Sequence, residues 1–219
     1  MKLAYWNLKG RGELIRILLH YFGFEYTEFN PTSHDEAHAD FAKHHFNFPN
    51  LPYLIDGDIN ITESSAIPLY IAYKAKRTDF FGKDDIEKVY HQEIIGVLTD
   101  ISDGLLQTFF KDNYKDFFES KQKPLFLRKF GELSKVIGAK DYFFNQITFA
   151  DFKFYAQLYI YKKIAEKLGL EDVSKTFPNL TVHLNRVSSL PGVKEYLALE
   201  STKKRPNLPK TMVKLHIDL

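Results

Sequence analysis

Apolar residues recur along this chain in two different periods. In the first part they come in short runs and alternations. Residues 2–8 (KLAYWNL) form an apolar run bounded by Gly10 and Gly12, the pattern of a short buried strand. Leu14, Ile17, Leu18 and Tyr21 then recur at helical spacing, with Gly23 just beyond the last turn. Phe24 to Phe29 alternates as a second strand, closed by Pro31. Ser33 is placed to cap a polar helix over Asp35 to His44. Phe48 to Leu54 carries two prolines and leads into a hairpin around Gly57 in IDGDIN. Thr62 or Glu63 then opens a helix over Ala66, Leu69, Tyr70 and Tyr73. The order is β-α-β-α-β-β-α, which predicts an α/β domain over residues 1–76 and a polar linker over 77–83.

From Asp84 the strand patterns stop, and residues 84–219 read as an all-helical domain with a C-terminal tail. Ile86, Val89, Tyr90, Ile94, Val97, Leu98, Ile101 and Leu105 keep helical spacing, and a second helix is predicted from Tyr114 to Ile137. In ITFAD, Thr148 and Asp151 stand at the two positions of a capping box, with Asp in place of Glu. Ile147 and Phe152 occupy the accompanying staple positions. The helix that follows, Phe149 to about Ala165, is apolar on most faces and is predicted to be buried and central. Phe177-Pro178 and Leu190-Pro191 start two shorter helices. The Lys- and Pro-rich tail from Thr202 is expected on the surface. The fold class is therefore α/β followed by a helical bundle.

Composition narrows the chemistry. The 219 residues hold no cysteine, which removes disulfides, thiolate metal ligands and any cysteine nucleophile. Any thiol chemistry must use a sulfur that the protein binds. Thirty basic residues against 28 acidic ones give a net +2, no electrostatic footprint for nucleic acid. No apolar window is long enough to span a membrane, and MKLAYWNLKG does not read as a signal peptide. The expectation is a cytoplasmic protein.

Three local features carry chemistry. Leu51-Pro52 places a proline at the start of a strand. It is either an edge-strand proline or a cis-proline that exposes the Leu51 backbone to an extended ligand. Glu63-Ser64 lies at a helix start and is either a plain cap or a place for a ligand's carboxylate and ammonium. Tyr5 closes the first strand and is either core or the residue that the loop Trp6–Arg11 presents. His34 and His38 stand one helical turn apart, but Glu36 is misplaced for a zinc motif. They read as a solvated face, with no metal expected.

Taken together, these blocks resemble the cytosolic glutathione transferases over essentially the whole chain, the mu class above all. LAYWNLKG…IRILLHY resembles that class's first strand and helix. FPNLPYLIDG…ITESSAI resembles its proline turn, hairpin and third-helix start, and ITFADFKFY its capping-box helix. The resemblance implies a thioredoxin-like first domain, an all-helical second one and a homodimer. It also implies glutathione as co-substrate, and a small hydrophobic electrophile taken between the domains. Residue by residue, Tyr5 matches the catalytic tyrosine and Trp6 an aromatic beside the thiol. Asn50 and Leu51 match the residues that bracket the cysteinyl backbone, with Pro52 the cis-proline. Glu63 and Ser64 match the pair that holds the γ-glutamyl end. Asp100 matches an aspartate that reaches the partner subunit's γ-glutamyl ammonium. Leu8, Arg11, Leu105, Phe109 and Phe110 fall at the positions that line the second-substrate pocket.

The chain also departs from the mu pattern. Glu63 stands where that class has Gln, as in other classes. The loop before Phe48 is shorter. Phe41 takes the place of the tryptophan at the glycyl carboxylate, and Lys43, His44 or His45 that of the lysine. The second active-site tyrosine is Phe110, which cannot donate a proton. Arg11 is either a surface residue or, as in the alpha class, an added positive charge near the thiolate. The short loop and GRGELIR also resemble the sigma class. A glutathione-dependent isomerase and a non-catalytic ligand-binding or structural protein are therefore the competing readings.

Overall fold

The computed structural model describes residues 1–170, 172–208 and 214–215. They fall into two units, one of Met1–Arg77 with Leu190–Leu208, the other of Thr78–Ser189 with the described end of the tail.

The first unit is built on a four-stranded mixed sheet of order β2-β1-β3-β4. β1 (Lys2–Ala4) pairs parallel with β2 (Thr27–Phe29) and antiparallel with β3 (Tyr53–Asp56), and β3 pairs antiparallel with β4 (Ile59–Thr62). Leu3 stands opposite Glu28 on one side and Leu54 on the other. α1 (Glu13–Tyr21) buries Ile15, Arg16, Ile17, Leu18 and Leu19. α2 (His34–Phe41) begins where Ser33 accepts the Glu36 N–H at 3.1 Å, the expected cap. α3 (Ala66–Lys74) completes the β-α-β-α-β-β-α order. Pro68 fits its first turn, where backbone N–H groups have no intrahelical acceptor.

The strands are shorter than their apolar runs. β1 stops at Ala4 because the Trp6–Gly12 segment turns away, and β2 starts at Thr27 rather than Phe24. The end of the chain also departs from expectation. α9 (Val193–Ala198) and α10 (Glu200–Lys204) group with the α/β unit rather than with the helical one, α9 against α1. Gly192 supplies the turn: its φ is +79°, and a side chain there would collide with the His20 carbonyl. Tyr196 donates to Glu13 at 2.8 Å. Thr202, Arg205 and Asn207 are buried, so the segment expected on the surface is, up to Leu208, part of the fold.

The second unit is helical. A short 3-10 turn, Thr78–Phe81, lies in the stretch expected as a linker. α4 (Asp85–Phe110) starts at Asp84, whose side chain accepts the Glu87 N–H. Of its apolar stripe, Ile94, Leu98, Ile101 and Leu105 are buried and Val97 half-buried. Ile86, Val89 and Tyr90, by contrast, are 64%, 63% and 56% exposed. The helix expected from Tyr114 to Ile137 is α5 (Tyr114–Phe117), a π-helical stretch Phe118–Gln122 and α6 (Lys123–Ile137). Pro124 accounts for the interruption: it has no N–H for the Ser120 carbonyl, and its ring demands the wider turn. α7 (Phe149–Leu168) is the central helix and packs against α4 and α8 (Pro178–Ser188). Among the described residues no helix is long and apolar enough to cross a membrane.

Candidate active site

Tyr5 follows β1 directly and continues its pairing, its N–H donating to the Phe29 carbonyl at 3.1 Å. Its own carbonyl accepts from the Asn30 side-chain amide at 2.8 Å. Tyr5 is 8% exposed. The loop then folds back over it, so that the Arg11 backbone N–H donates to the Tyr5 hydroxyl oxygen at 3.1 Å. That approach needs Gly10 and Gly12. A Cβ at Gly10 would lie 2.8 Å from the Tyr5 hydroxyl oxygen, and one at Gly12 would lie 2.6 Å from Tyr5 Cδ1. Gly10 also has φ +38°. A phenol oxygen that accepts a backbone N–H still has its own proton to donate.

Trp6 packs edge-on against His34, with ring centroids 5.1 Å apart. Leu8 is buried, whereas the Arg11 side chain is exposed. The Leu51–Pro52 peptide is cis, with Pro52 buried just before β3. The Leu51 N–H donates to its neighbour Asn50 Oδ1 at 2.8 Å, so an extended ligand must displace that side chain to pair with Leu51. Glu63 closes β4 with φ +74°, a left-handed conformation that costs a non-glycine residue energy. Its carbonyl accepts the N–H groups of Ala66 and Ile67 and so starts α3. Ser65 makes no side-chain cap, and Ser64 is half-buried beside it. Glu63 and Ser64 thus stand at an uncapped helix start, where a carboxylate is favoured.

The residues proposed for the glycyl end lie around α2. Phe41 packs edge-on against Phe46 and Tyr53. Lys43, His44 and His45 line an open groove of about 590 Å³ with the hairpin turn Gly57–Asn60. Asp40 gathers this region: it accepts from Lys2 at 2.8 Å and from the Tyr53 hydroxyl, and lies 3.6 Å from Lys43. Burial alone would raise the Asp40 pKa, but the bonds from Lys2 and Tyr53 outweigh it and hold the carboxyl below the ordinary value. His34 and His38 are exposed. Among the described residues no three His, Cys, Asp or Glu side chains stand where they could share a metal.

In the helical unit, Asp100 is 60% exposed and accepts from the nearly buried Lys129 at 2.7 Å. Leu105 and Phe109 are buried on α4 and Phe110 is exposed at its end. The Phe109 carbonyl accepts the Lys214 and Leu215 N–H groups, which caps the helix with the returning tail.

Residues 1–73 match the sequence profile described as "Glutathione S-transferase, N-terminal domain", and residues 99–200 match "Glutathione S-transferase, C-terminal domain". Over 219 aligned residues the chain is 30% identical to Glutathione S-transferase 2 of Gallus gallus, covering 93% of this chain and 92% of that one. The chain belongs to the glutathione S-transferase family. It is also 31% identical to Glutathione S-transferase Mu 2 of Macaca fascicularis, over 97% of each chain. With Glutathione S-transferase Mu 4 of Homo sapiens it shares 31% identity over 90% of each. A crystal structure of the glutathione S-transferase Blo t 8 superposes with a TM-score of 0.83 at 25% identity, covering 99% of this chain. Residues 1–73 of the first unit are the thioredoxin-like domain of this family, and glutathione is the family's co-substrate.

Several of the residues described above had no signal of their own in the sequence. Gly10 and Gly12 read only as the end of a strand. Arg16 read as one more position on α1, yet its side chain is fully buried and its guanidinium lies 6.0 Å from the Tyr5 ring centroid. Lys129, the partner of Asp100, lies 29 residues away, a distance that no local spacing reports.

Proposed function

We propose that this glutathione S-transferase conjugates the thiolate of reduced glutathione to small apolar electrophiles, with Tyr5 as the catalytic residue. The observation that carries the reading is the Arg11 N–H on the Tyr5 hydroxyl oxygen, which leaves the phenol proton to point at a sulfur. A free thiol has a pKa of roughly 8.5, so at neutral pH only a minority of it is thiolate. Lowering that pKa by about two units requires about 3 kcal/mol, near the upper end of what one hydrogen bond to a charged group supplies. A phenol titrates near pH 10, so it remains protonated and able to donate at neutral pH.

In this reading the Leu51 backbone pairs with the cysteinyl unit, with Asn50 and Pro52 flanking it. Glu63 and Ser64 take the γ-glutamyl end, with the left-handed Glu63 turn presenting both. Phe41, Lys43 and His45 are the candidates for the glycyl carboxylate. Trp6 lies beside the sulfur and Arg11 adds positive charge. Leu8, Leu105, Phe109 and Phe110 supply apolar surface for the electrophile. A homodimer is part of the proposal. Asp100 would serve the partner's ligand, and the exposed Ile86, Val89 and Tyr90 are apolar surface for a second copy to cover.

The test is Tyr5→Phe assayed with a chloronitroaromatic acceptor. Conjugation should fall tenfold or more while glutathione binding persists, since one hydrogen bond to a charged sulfur is worth about 1.5–3 kcal/mol. Unchanged turnover would remove Tyr5 from the mechanism.

A further inference from the structure

The Trp6–Gly12 loop that serves Tyr5 has little structure of its own beyond a single 3-10 turn at Gly10–Gly12. Its backbone is held from two sides. From α1, Arg16 donates to the Leu8 carbonyl at 2.9 Å and to the Trp6 carbonyl at 3.4 Å. From the segment after α10, the Pro206 and Asn207 carbonyls accept the N–H groups of Lys9 at 2.7 Å and Gly10 at 3.0 Å.

One carboxylate joins the two holders. Glu28 on β2 accepts from Arg16 Nε at 3.2 Å and from Arg205 Nη2 at 3.3 and 3.1 Å, one to each oxygen. It also accepts from the Asn30 amide at 3.1 Å, and that same amide donates to the Tyr5 carbonyl. Arg205 in turn directs Nε to Asn7 Oδ1 at 3.3 Å, inside the loop. Both guanidinium groups are nearly or fully buried. The other charged and titratable groups facing them are Glu13, 3.7 Å from Arg16, and Tyr196, which bonds both Glu13 and Arg205. Among the described residues, Lys9, Tyr26 and His20, which feels the Glu28 charge and lies 4.8 Å from the Tyr196 ring, complete the surroundings.

We propose that Glu28 is a positioning residue for the transferase reaction, holding Arg16 and Arg205 where they clamp the Trp6–Gly12 loop and so fixing the Arg11 N–H on the Tyr5 hydroxyl. The proposal rests on Tyr5 as the thiolate donor. Glu28 touches neither ligand nor sulfur; its effect passes through the loop. Without its charge the two arginines keep, among the described residues, only Glu13 as a counter-ion, and the carbonyls of Trp6 and Leu8 lose their fixed donor.

The variant is Glu28→Gln, which keeps shape and an acceptor but removes the charge, beside Arg205→Lys, Arg205→Gln and the surface control Glu200→Gln. Two readouts are taken. The first is the pH profile of kcat/KM with glutathione and a chloronitroaromatic. Its acid limb should move upward by about one unit in Glu28→Gln, a loss of about fivefold near pH 6.5 that approaches about tenfold at lower pH and recovers above about pH 8.5. The glutathione KM should stay within about twofold, because the γ-glutamyl contacts lie elsewhere. The second readout needs no turnover. In protein labelled with 3-fluorotyrosine, the Tyr5 resonance, identified by its loss in Tyr5→Phe, should shift in Glu28→Gln and Arg205→Gln. It should shift less in Arg205→Lys and not at all in Glu200→Gln. A lowered unfolding temperature with an unmoved acid limb and an unmoved Tyr5 resonance would overturn the proposal. Should Glu28→Gln not fold, Arg205→Gln decides by the same two measures. If the unaltered protein proves not to conjugate glutathione, the transferase reading fails, and the fluorine resonance still decides whether Glu28 positions Tyr5.

Discussion

The Arg11 backbone N–H and the Tyr5 hydroxyl oxygen lie 3.1 Å apart, closing six residues of sequence into a loop around one phenol. The closure works because Gly12 has no side chain: a Cβ there would lie 2.6 Å from Tyr5 Cδ1 and 2.9 Å from Cγ. Gly12→Ala must therefore tilt the ring or push the loop away. Overpacking of this kind costs about 1–3 kcal/mol of stability. The larger effect should fall on chemistry, with kcat/KM for conjugation reduced about tenfold and the absorbance of bound glutathione thiolate reduced at pH 7. A Gly12→Ala variant with unaltered thiolate absorbance would show that ring placement is not demanding.

His91 reads through stability rather than activity. It lies fully buried on α4 among Phe81, Phe144 and Phe149, and neither ring nitrogen has a hydrogen-bond partner. Burial drives its pKa from the ordinary 6.5 down to about 4, against the opposing pull of Asp151 and Glu87. The folded pKa is the lower one, so the unfolded chain binds the extra proton between these values. The contribution of this site is therefore complete above pH 6.5 and falls away as pH drops toward 4. At pH 4.5 the loss is on the order of 2 kcal/mol relative to pH 7. His91→Phe should equal or exceed the parent at pH 7, since it removes two unsatisfied nitrogens, and should lose less on acidification. Denaturant titrations of both proteins at pH 7 and 4.5 measure the difference. Parallel losses would show that His91 does not set the acid limb.

Asp100 and Lys129 separate two roles that one ion pair can have. The carboxylate is 60% exposed and the ammonium nearly buried. If Asp100 serves a partner's γ-glutamyl ammonium, Asp100→Asn should raise the glutathione KM by about fivefold, a loss of roughly 1 kcal/mol, and leave kcat nearly unchanged. Lys129→Met should leave that KM unaffected, because replacing the nearly buried cation with a similar apolar chain keeps the carboxylate in place. Steady-state kinetics with varied glutathione, together with sedimentation to establish the dimer, check both. A rise in KM with Lys129→Met as large as with Asp100→Asn would make the pair merely structural.

The sequence carried the parts of this fold that depend on local chemistry. The Ser33 cap, the Thr148–Asp151 box and the β-α-β-α-β-β-α order are legible because each rests on residues within a few positions of one another. The Pro124 interruption is equally local, but the apolar spacing runs straight through it and hides it. What stayed hidden spans long stretches of chain. Arg205 reaches Glu28 across 177 residues and Tyr196 reaches Glu13 across 183. A Lys- and Pro-rich tail has the composition of surface, and only its buried partners reveal it as fold. At the site the same division holds. Tyr5, Pro52 and Glu63 could be picked out by their place beside strands and helix starts. Gly12, Arg16 and Glu28 acquire meaning only once the loop is closed over the ring.

The Asp151 carboxylate does more than complete a capping box, and the surplus can be measured. One oxygen accepts the Thr148 N–H at 2.8 Å and the Thr148 hydroxyl at 3.0 Å. The other accepts the Phe143 N–H at 3.0 Å and lies 2.8 Å from His183 Nε2, which donates to it. Asp151, Thr148 and His183 are all fully buried. Asp151→Ala therefore strands three kinds of donor in the core at once, each worth about 1–3 kcal/mol when left unsatisfied. The expected loss exceeds about 3 kcal/mol, beyond what an N-cap alone provides. Thr148→Ala removes only the cap side chain and should cost about 1–2 kcal/mol, the usual range for that change. His183→Leu should fall between them, since it deletes a donor without stranding the backbone groups. Urea unfolding of the three variants gives the order directly. If Asp151→Ala cost no more than Thr148→Ala, the bonds to Phe143 and His183 would add nothing to stability, and the box alone would account for the residue.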